Sequence, residues 1–298
     1  MRANAAFLSL SLLFGAAICS AQEPQQPAVM DSAYGAKSNT PDYSNVYCSG
    51  FFTDQKIPDE ARLISGEQDI YKIVFARGEY VYLNQGADKG VKEGDRFMVF
   101  RQESDPLKIE WFKGETKLQK AMGISYSDLG HVRVVKVNQN TSIAQITFSC
   151  AYMQRGDIIR PYVERPVGPF KESGQFDHFA PVSGKPVAMV VVGREFAQSF
   201  GRGDAVYVNL GSSQGVKVGD YIRMFRYQGR DKETMPSPEG YQYKLFGFGS
   251  TPVRYKWSDL PREVLGEGIV LNTSKNSSTV LLTYSSTEIF AGDYAEIE

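Results

Sequence analysis

Histidine is almost missing from this chain, with two residues, His131 and His178, among 298. Tryptophan also occurs twice, and cysteine three times. A metal site built on paired histidines therefore has no material, and each imidazole reads as a surface or packing residue. Charge of one sign is lacking too: the formal net charge is −1. Such a balance gives no electrostatic footprint for nucleic acid or for an anionic membrane surface. The apolar run Ala5–Ile18 is too short to span a bilayer comfortably, and no later stretch is long and apolar enough. No HExxH pair and no convergent nucleophile, base or paired carboxylates can be read. The expectation is a protein with no catalytic residues, no metal and no cofactor.

What the N-terminus does contain reads as an export signal. Arg2 supplies a positive n-region, Ala5–Ile18 the apolar region, and small residues before Gln22 a cleavage site after Ala21. A lipoprotein would use Cys19, but Ile18 before it is a poor fit. The expected setting is periplasmic or secreted, with residues 1–21 as signal peptide and 22–45 as a flexible tether. Cys48 and Cys150 then remain, and an even count in an exported chain favours a disulfide.

The chain writes one sentence twice. Gly78–Arg101 and Gly203–Arg226 agree at 12 of 24 positions, including Asn84/Asn209, Gly94/Gly219, Asp95/Asp220 and Arg101/Arg226. A second pair of blocks begins at Leu129 and Leu265, where Ala144, Ile146 and Phe148 correspond to Val280, Leu282 and Tyr284. Each of these blocks ends in another Gly-Asp, at Gly156-Asp157 and Gly292-Asp293. Period-two alternation between glycine turns is the signature of half-buried strands. The expected fold is all-β: two tandem small β-barrel (or barrel-like sandwich) domains arising from internal duplication. Residues 46–163 and 187–298 are the domains, and 164–186 a Pro/Gly linker in which Phe170, Phe176 and Phe179 could pack on a neighbour. Gly94, Asp95, Gly156, Asp157, Gly219, Asp220, Gly292 and Asp293 are read as structural turns, the carboxylates accepting main-chain N–H groups. Arg202-Gly203-Asp204 spells an adhesion tripeptide, but Gly78-Glu79 occupies the matching place, so it is read as a turn. The one helix-like signal is the "SDLPREVLG" segment from Ser258.

"VYLNQGADKGVKEGDRFMVFR" followed by "LGHVRVVKVNQNTSIAQI" resembles the C-terminal β-domain of the flagellar assembly protein T. It is similar as well to Gly-Asp modules of LysM-containing envelope proteins. A looser likeness is to the β-domains of the rod-shape-determining protein C. The resemblance implies small β-domains in a bacterial envelope.

The copies differ in two places. "NVYCSGFFTD", with Cys48, is set against "KPVAMVVVGREF", and Cys150 aligns with Ser286, so both cysteines are absent together from the second copy. Long inserts follow Arg101 and Arg226, closing in "YSDL" at Tyr126 and "WSDL" at Trp257. Their aromatics, Trp111, Phe112, Tyr241, Tyr243, Phe246, Phe248, Tyr255 and Trp257, are a candidate binding surface for sugar rings or a protein partner. The functional expectation is an exported non-catalytic binding or scaffold protein with peptidoglycan, another glycan or envelope assembly proteins as partners. The rival reading is a secreted hydrolase of cell-wall or storage polysaccharide.

Overall fold

The computed structural model describes residues 40–106, 109–171, 176–228, 241–243, 250–252 and 261–298, and strands dominate them. The first half opens with α1 (Tyr43–Tyr47), β1 (Phe51–Thr53), β2 (Leu63–Gly66), β3 (Val74–Phe75) and β4 (Tyr80–Leu83). It continues with β5 (Arg96–Glu103), α2 (Glu115–Met122), β6 (Ile124–Val137), β7 (Ser142–Ser149), β8 (Met153–Gln154) and β9 (Ile158–Pro161). The second half holds β10 (Val187–Gly193), β11 (Ser199–Phe200), β12 (Ala205–Val208) and β13 (Tyr221–Tyr227). A hairpin of β14 (Tyr241–Tyr243) and β15 (Ser250–Pro252) follows. Then come β16 (Arg262–Thr273), β17 (Ser278–Ser285), β18 (Ile289–Phe290) and β19 (Tyr294–Ile297).

The second half closes into a barrel in the order β10-β12-β17-β16-β13-β19. The first half has a sheet in the corresponding order, β2-β4-β7-β6-β5-β9, with β1 added on β6. Its two outer strands meet at a bridge between Arg62 and Ile158, flanked by backbone bonds from Leu63 N to Asp157 O and from Ile159 N to Ala61 O. The register shifts match between halves. Those at Leu63/Ser65, Val99/Phe100, His131/Val132 and Val134/Lys136 recur at Val190/Val192, Met224/Phe225, Glu267/Gly268 and Val270/Asn272. Bulges bend a strand and increase its twist, which is how a short sheet curls towards closure.

Alternation puts Leu63, Val81, Leu83, Val99, Leu129 and Ile146 in one core, and Val190, Val206, Val208, Met224, Leu265 and Leu282 in the other. Gly66 and Gly193 share a reason for being glycine. A Cβ there would lie 2.3 Å from the ring of Phe75 or Phe200, the aromatic that plugs each sheet corner. Gly94 and Gly219 share another: both turn at φ +92°, where side chains are strained.

His131 lies wholly inside a box of rings. Tyr43, Tyr47, Phe148 and Tyr162 have centroids 4.8–5.9 Å from the imidazole. Its Nδ1 shares a 2.9 Å hydrogen bond with the Tyr43 hydroxyl, and Nε2 is buried without a partner. Burial, reinforced by the charges of Arg96 and Arg165, pushes its pKa down to about 4. The unfolded chain takes up this proton near pH 6.5 while the native chain refuses it. Stability is therefore full above about pH 6.5 and falls by up to about 3 kcal/mol as the pH drops to about 4, levelling below. Urea titrations across that range should show the slope, and His131→Phe should flatten it; an unchanged slope would remove the assignment.

Several expectations need correction. The segment 22–45 is not a tether to its end: Pro41 is buried, and the helix from Tyr43 packs Val46 and Tyr47 against Met98 and Phe100. "KPVAMVVVGREF" corresponds to β2, not to the Cys48 segment, because Val190 and Gly193 pair with β12 as Leu63 and Gly66 pair with β4. "YSDL" lies inside β6, not in the insert. The helix-like "SDLPREVLG" is strand from Arg262 onward, whereas a helix that the sequence did not announce occupies Glu115–Met122. Tertiary packing overrode weak local signals in both places. The described residues of the linker hold no strand or helix, yet they are laid onto the protein. Arg165 grips Asp128 with two bonds of 2.6 and 2.9 Å, while Phe170 and Phe176 pack on the second half; Phe179 stays exposed.

The halves are clasped together. Phe52 of β1 and Met122 of α2 bury Val191, Val192 and Tyr207 of the closed barrel of the second half, with Leu118 and Phe196 at the edge. Around that plug, the carbonyls of Ser49, Gly50 and Phe52 accept hydrogen bonds from Tyr207 (2.8 Å), Thr279 (3.0 Å) and Ser274 (2.6 Å).

Candidate functional site

The repeated aspartates are turn devices in the folded chain. Asp95 accepts the Lys92 N–H and Asp220 the Lys217 N–H, both at 2.8 Å. Asp157 accepts Gln154 N–H at 2.6 Å and Asp293 accepts Phe290 N–H at 2.8 Å. Asp204 of the Arg-Gly-Asp triplet does the same for Gly201, as Glu79 does for Ala76 in the first half. Asp95→Ala should cost about 1 kcal/mol in denaturant unfolding, the worth of one such bond. A far larger loss would mean that the carboxylate holds more than its turn.

One role was missed by the sequence reading. Arg101 binds Asp157 with two bonds of 2.8 and 2.9 Å, and Arg226 binds Asp293 with two of 2.7 and 2.6 Å. Both arginines stood among the 12 matched positions, so the signal was present. Their carboxylate partners lay far along the chain, in the other matched block.

A hollow lies where the halves meet. It holds about 610 Å3, and its walls include Ser49, the Cys48–Cys150 disulfide, Phe148, Arg194, Glu195, Ser199, Phe200 and Asp204. Ser199, Phe200 and Asp204 also border a shallower hollow of about 430 Å3 with Ser285, Ser286, Thr287 and Glu288. The expected disulfide is thus formed, and Cys150 N–H and Ser286 N–H bond Leu129 and Leu265 carbonyls in equivalent fashion. At the rim, Glu195 and Phe196 both take left-handed backbone (φ 57° and 59°), a strain that persists only when packing enforces it. Phe196 supplies that packing against the inter-half plug. Ser49 Oγ is buried without a partner in the cleft wall. Hydroxyls, one guanidinium and two carboxylates in a rigid cleft can hydrogen-bond a polar ligand.

Neither histidine lines this cleft. His131 is in its ring box, and His178 pairs with Glu263 at 3.1 Å on the surface. Gly211, Ser213 and Gly215 have nucleophile-elbow spacing, which the sequence reading passed over. They form a short 3-10 turn instead of a strand-to-helix elbow, and Ser213 Oγ donates to the Lys275 carbonyl at 2.6 Å.

Of the aromatic candidates, Trp111 and Phe112 have described side chains. Trp111 is 64% exposed, whereas Phe112 lies over Gly292 of the second half, its nearest ring atom 3.1 Å from where a Cβ would sit. Tyr241 and Tyr243 are on the β14 hairpin strand. Phe246, Phe248, Tyr255 and Trp257 lie outside the described residues. No helix among the described residues is long and apolar enough to cross a membrane. No protein-family model matches the chain, and no curated protein matches it either.

Proposed function

We propose that this chain is an exported, non-catalytic binding or scaffold protein of the bacterial envelope, two tandem β-barrels produced by internal duplication. The single observation that carries the reading is the polar cleft clasped between the halves. Its walls are held by a disulfide and by interlocked backbone, and it offers hydroxyl and charged groups with no imidazole beside them. A rigid site of this kind suits recognition of a polar polymer such as peptidoglycan or another glycan. The matched bulges support the duplication, and the apolar Ala5–Ile18 run supports export with cleavage after Ala21. Trp111, Phe112 and the second insert are proposed as the surface offered to an assembly partner. The turn residues Asp95, Asp157, Asp220 and Asp293 serve geometry.

Pull-down with purified sacculi and with envelope extracts tests this. Retention that is weakened by Ser199→Tyr, at an exposed position lining the cleft, supports the reading. Failure to retain any envelope component sinks it, and turnover of a polysaccharide by the pure chain replaces it with the hydrolase.

A further inference from the structure

The two halves dock asymmetrically, and that asymmetry leaves a second copy of the docking surface unused. On the second half the receiving surface is Val191 of β10 and Tyr207 of β12, buried beneath Phe52 and Met122, with Phe196 of the following corner half-buried at the edge. The strand registers place Ile64 at the position of Val191 and Tyr82 at that of Tyr207. Gly66 and Phe75 bracket the first corner as Gly193 and Phe200 bracket the second. Yet here the chain meets water: Ile64 is exposed, and the corner beside it presents Ile70 (85% exposed), Tyr71 (91%) and Ile73 (76%).

This corner is built. Ser65 Oγ donates to Asp69 at 2.5 Å, Tyr71 N–H bonds the Gln68 carbonyl at 2.9 Å, and Arg155 pairs with Asp69 at 3.0 Å. Gln68 takes left-handed backbone (φ 56°) to make the bend. Three large apolar side chains held outward on a braced turn form a patch of the kind that marks a protein contact.

The delivering surface has its own unused counterpart. In the first half, β1 runs along the start of β6 and delivers Phe52. In the second half, the segment around His178–Pro181 runs along the start of β16: Val264 N–H bonds the His178 carbonyl, and Arg262 bonds those of Ala180 and Pro181. That segment presents Phe179, 61% exposed. The first half thus shows an empty receiver, and the segment on β16 an undelivered phenylalanine.

We propose that copies of this chain associate head to tail, the Phe179 face of one docking on the Ile64–Ile70–Tyr71–Ile73 corner of the next, in repetition of the contact between the halves. A heterologous contact between like units does not close on itself at two units, so it propagates.

Sedimentation velocity over a concentration series tests this on the purified chain. The average mass should rise by about twofold or more in the wild type, as expected for an open heterologous series. Tyr71→Asp combined with Ile73→Asp should abolish the rise, and so should Phe179→Asp. Each variant retains one good face, so mixing the two should restore association and stop it at the pair. All three side chains are exposed, and unchanged melting curves confirm that the variants fold. A wild type that stays monomeric, association indifferent to Tyr71→Asp, or a mixture that stays apart would each overturn the proposal. A patch-to-patch dimer is told apart by the mixture, which it would not restore.

Discussion

Replacing Cys48 and Cys150 by serine together should lower the unfolding free energy by about 4.7 kcal/mol, the chain-entropy value for a loop of this size. The bridge spans 102 residues. Beyond entropy, it holds the residues that follow Cys48, whose carbonyls at Ser49, Gly50 and Phe52 receive the hydrogen bonds of the second barrel. Losing the bridge should therefore weaken the coupling of the halves as well as the first half itself. Calorimetry of the double variant should split one transition into two, the first-half transition moving down. A loss under about 1 kcal/mol with a single transition would show that the contacts of Phe52 hold the clasp without the disulfide.

Asp157→Ala should be nearly as damaging, at about 3 kcal/mol, because it strands a partly buried guanidinium. The change removes both bonds from Arg101 and also the acceptor of the Gln154 N–H. The charged partner is what separates this site from Asp95, whose recorded bond is to a main-chain N–H. Asp293→Ala should reproduce the effect in the second half, where Arg226 and Phe290 N–H stand in the same relation. Asp157→Asn keeps an acceptor for the turn and should lose about half as much. Equal losses for Asp95→Ala and Asp157→Ala in urea unfolding would show that the arginine contributes nothing.

Much of this architecture could be read before any coordinates. Gly94-Asp95 and Gly219-Asp220 name their turns because a left-handed glycine and a short carboxylate acceptor are local requirements. Val81, Ala144 and Ile146 face the core as their alternation requires. Cys48 and Cys150 could be paired because no other cysteine remained after Cys19 was assigned to the leader. Where the signal was short or cooperative, reading failed. The Glu115–Met122 helix has a glycine before it, and the carboxylate that takes its Thr116 N–H is Glu110, six residues upstream, so little in the local pattern marks its start. Its apolar side, Leu118 and Met122, makes sense only against the second barrel.

The sequence by itself determined the doubled strand pattern, the turns and the candidate disulfide, because each depends on residues close in the chain or on a count. The tertiary structure decided which aspartates take an arginine, where the cleft opens, and why Phe52 is buried while Phe179, Tyr71 and Ile73 are not. Those outcomes depend on bulges that reset register and on one half lying against the other. Two repeats that agree at 12 of 24 positions in their best-matched block write similar local instructions, and the contact between them makes their surfaces unequal.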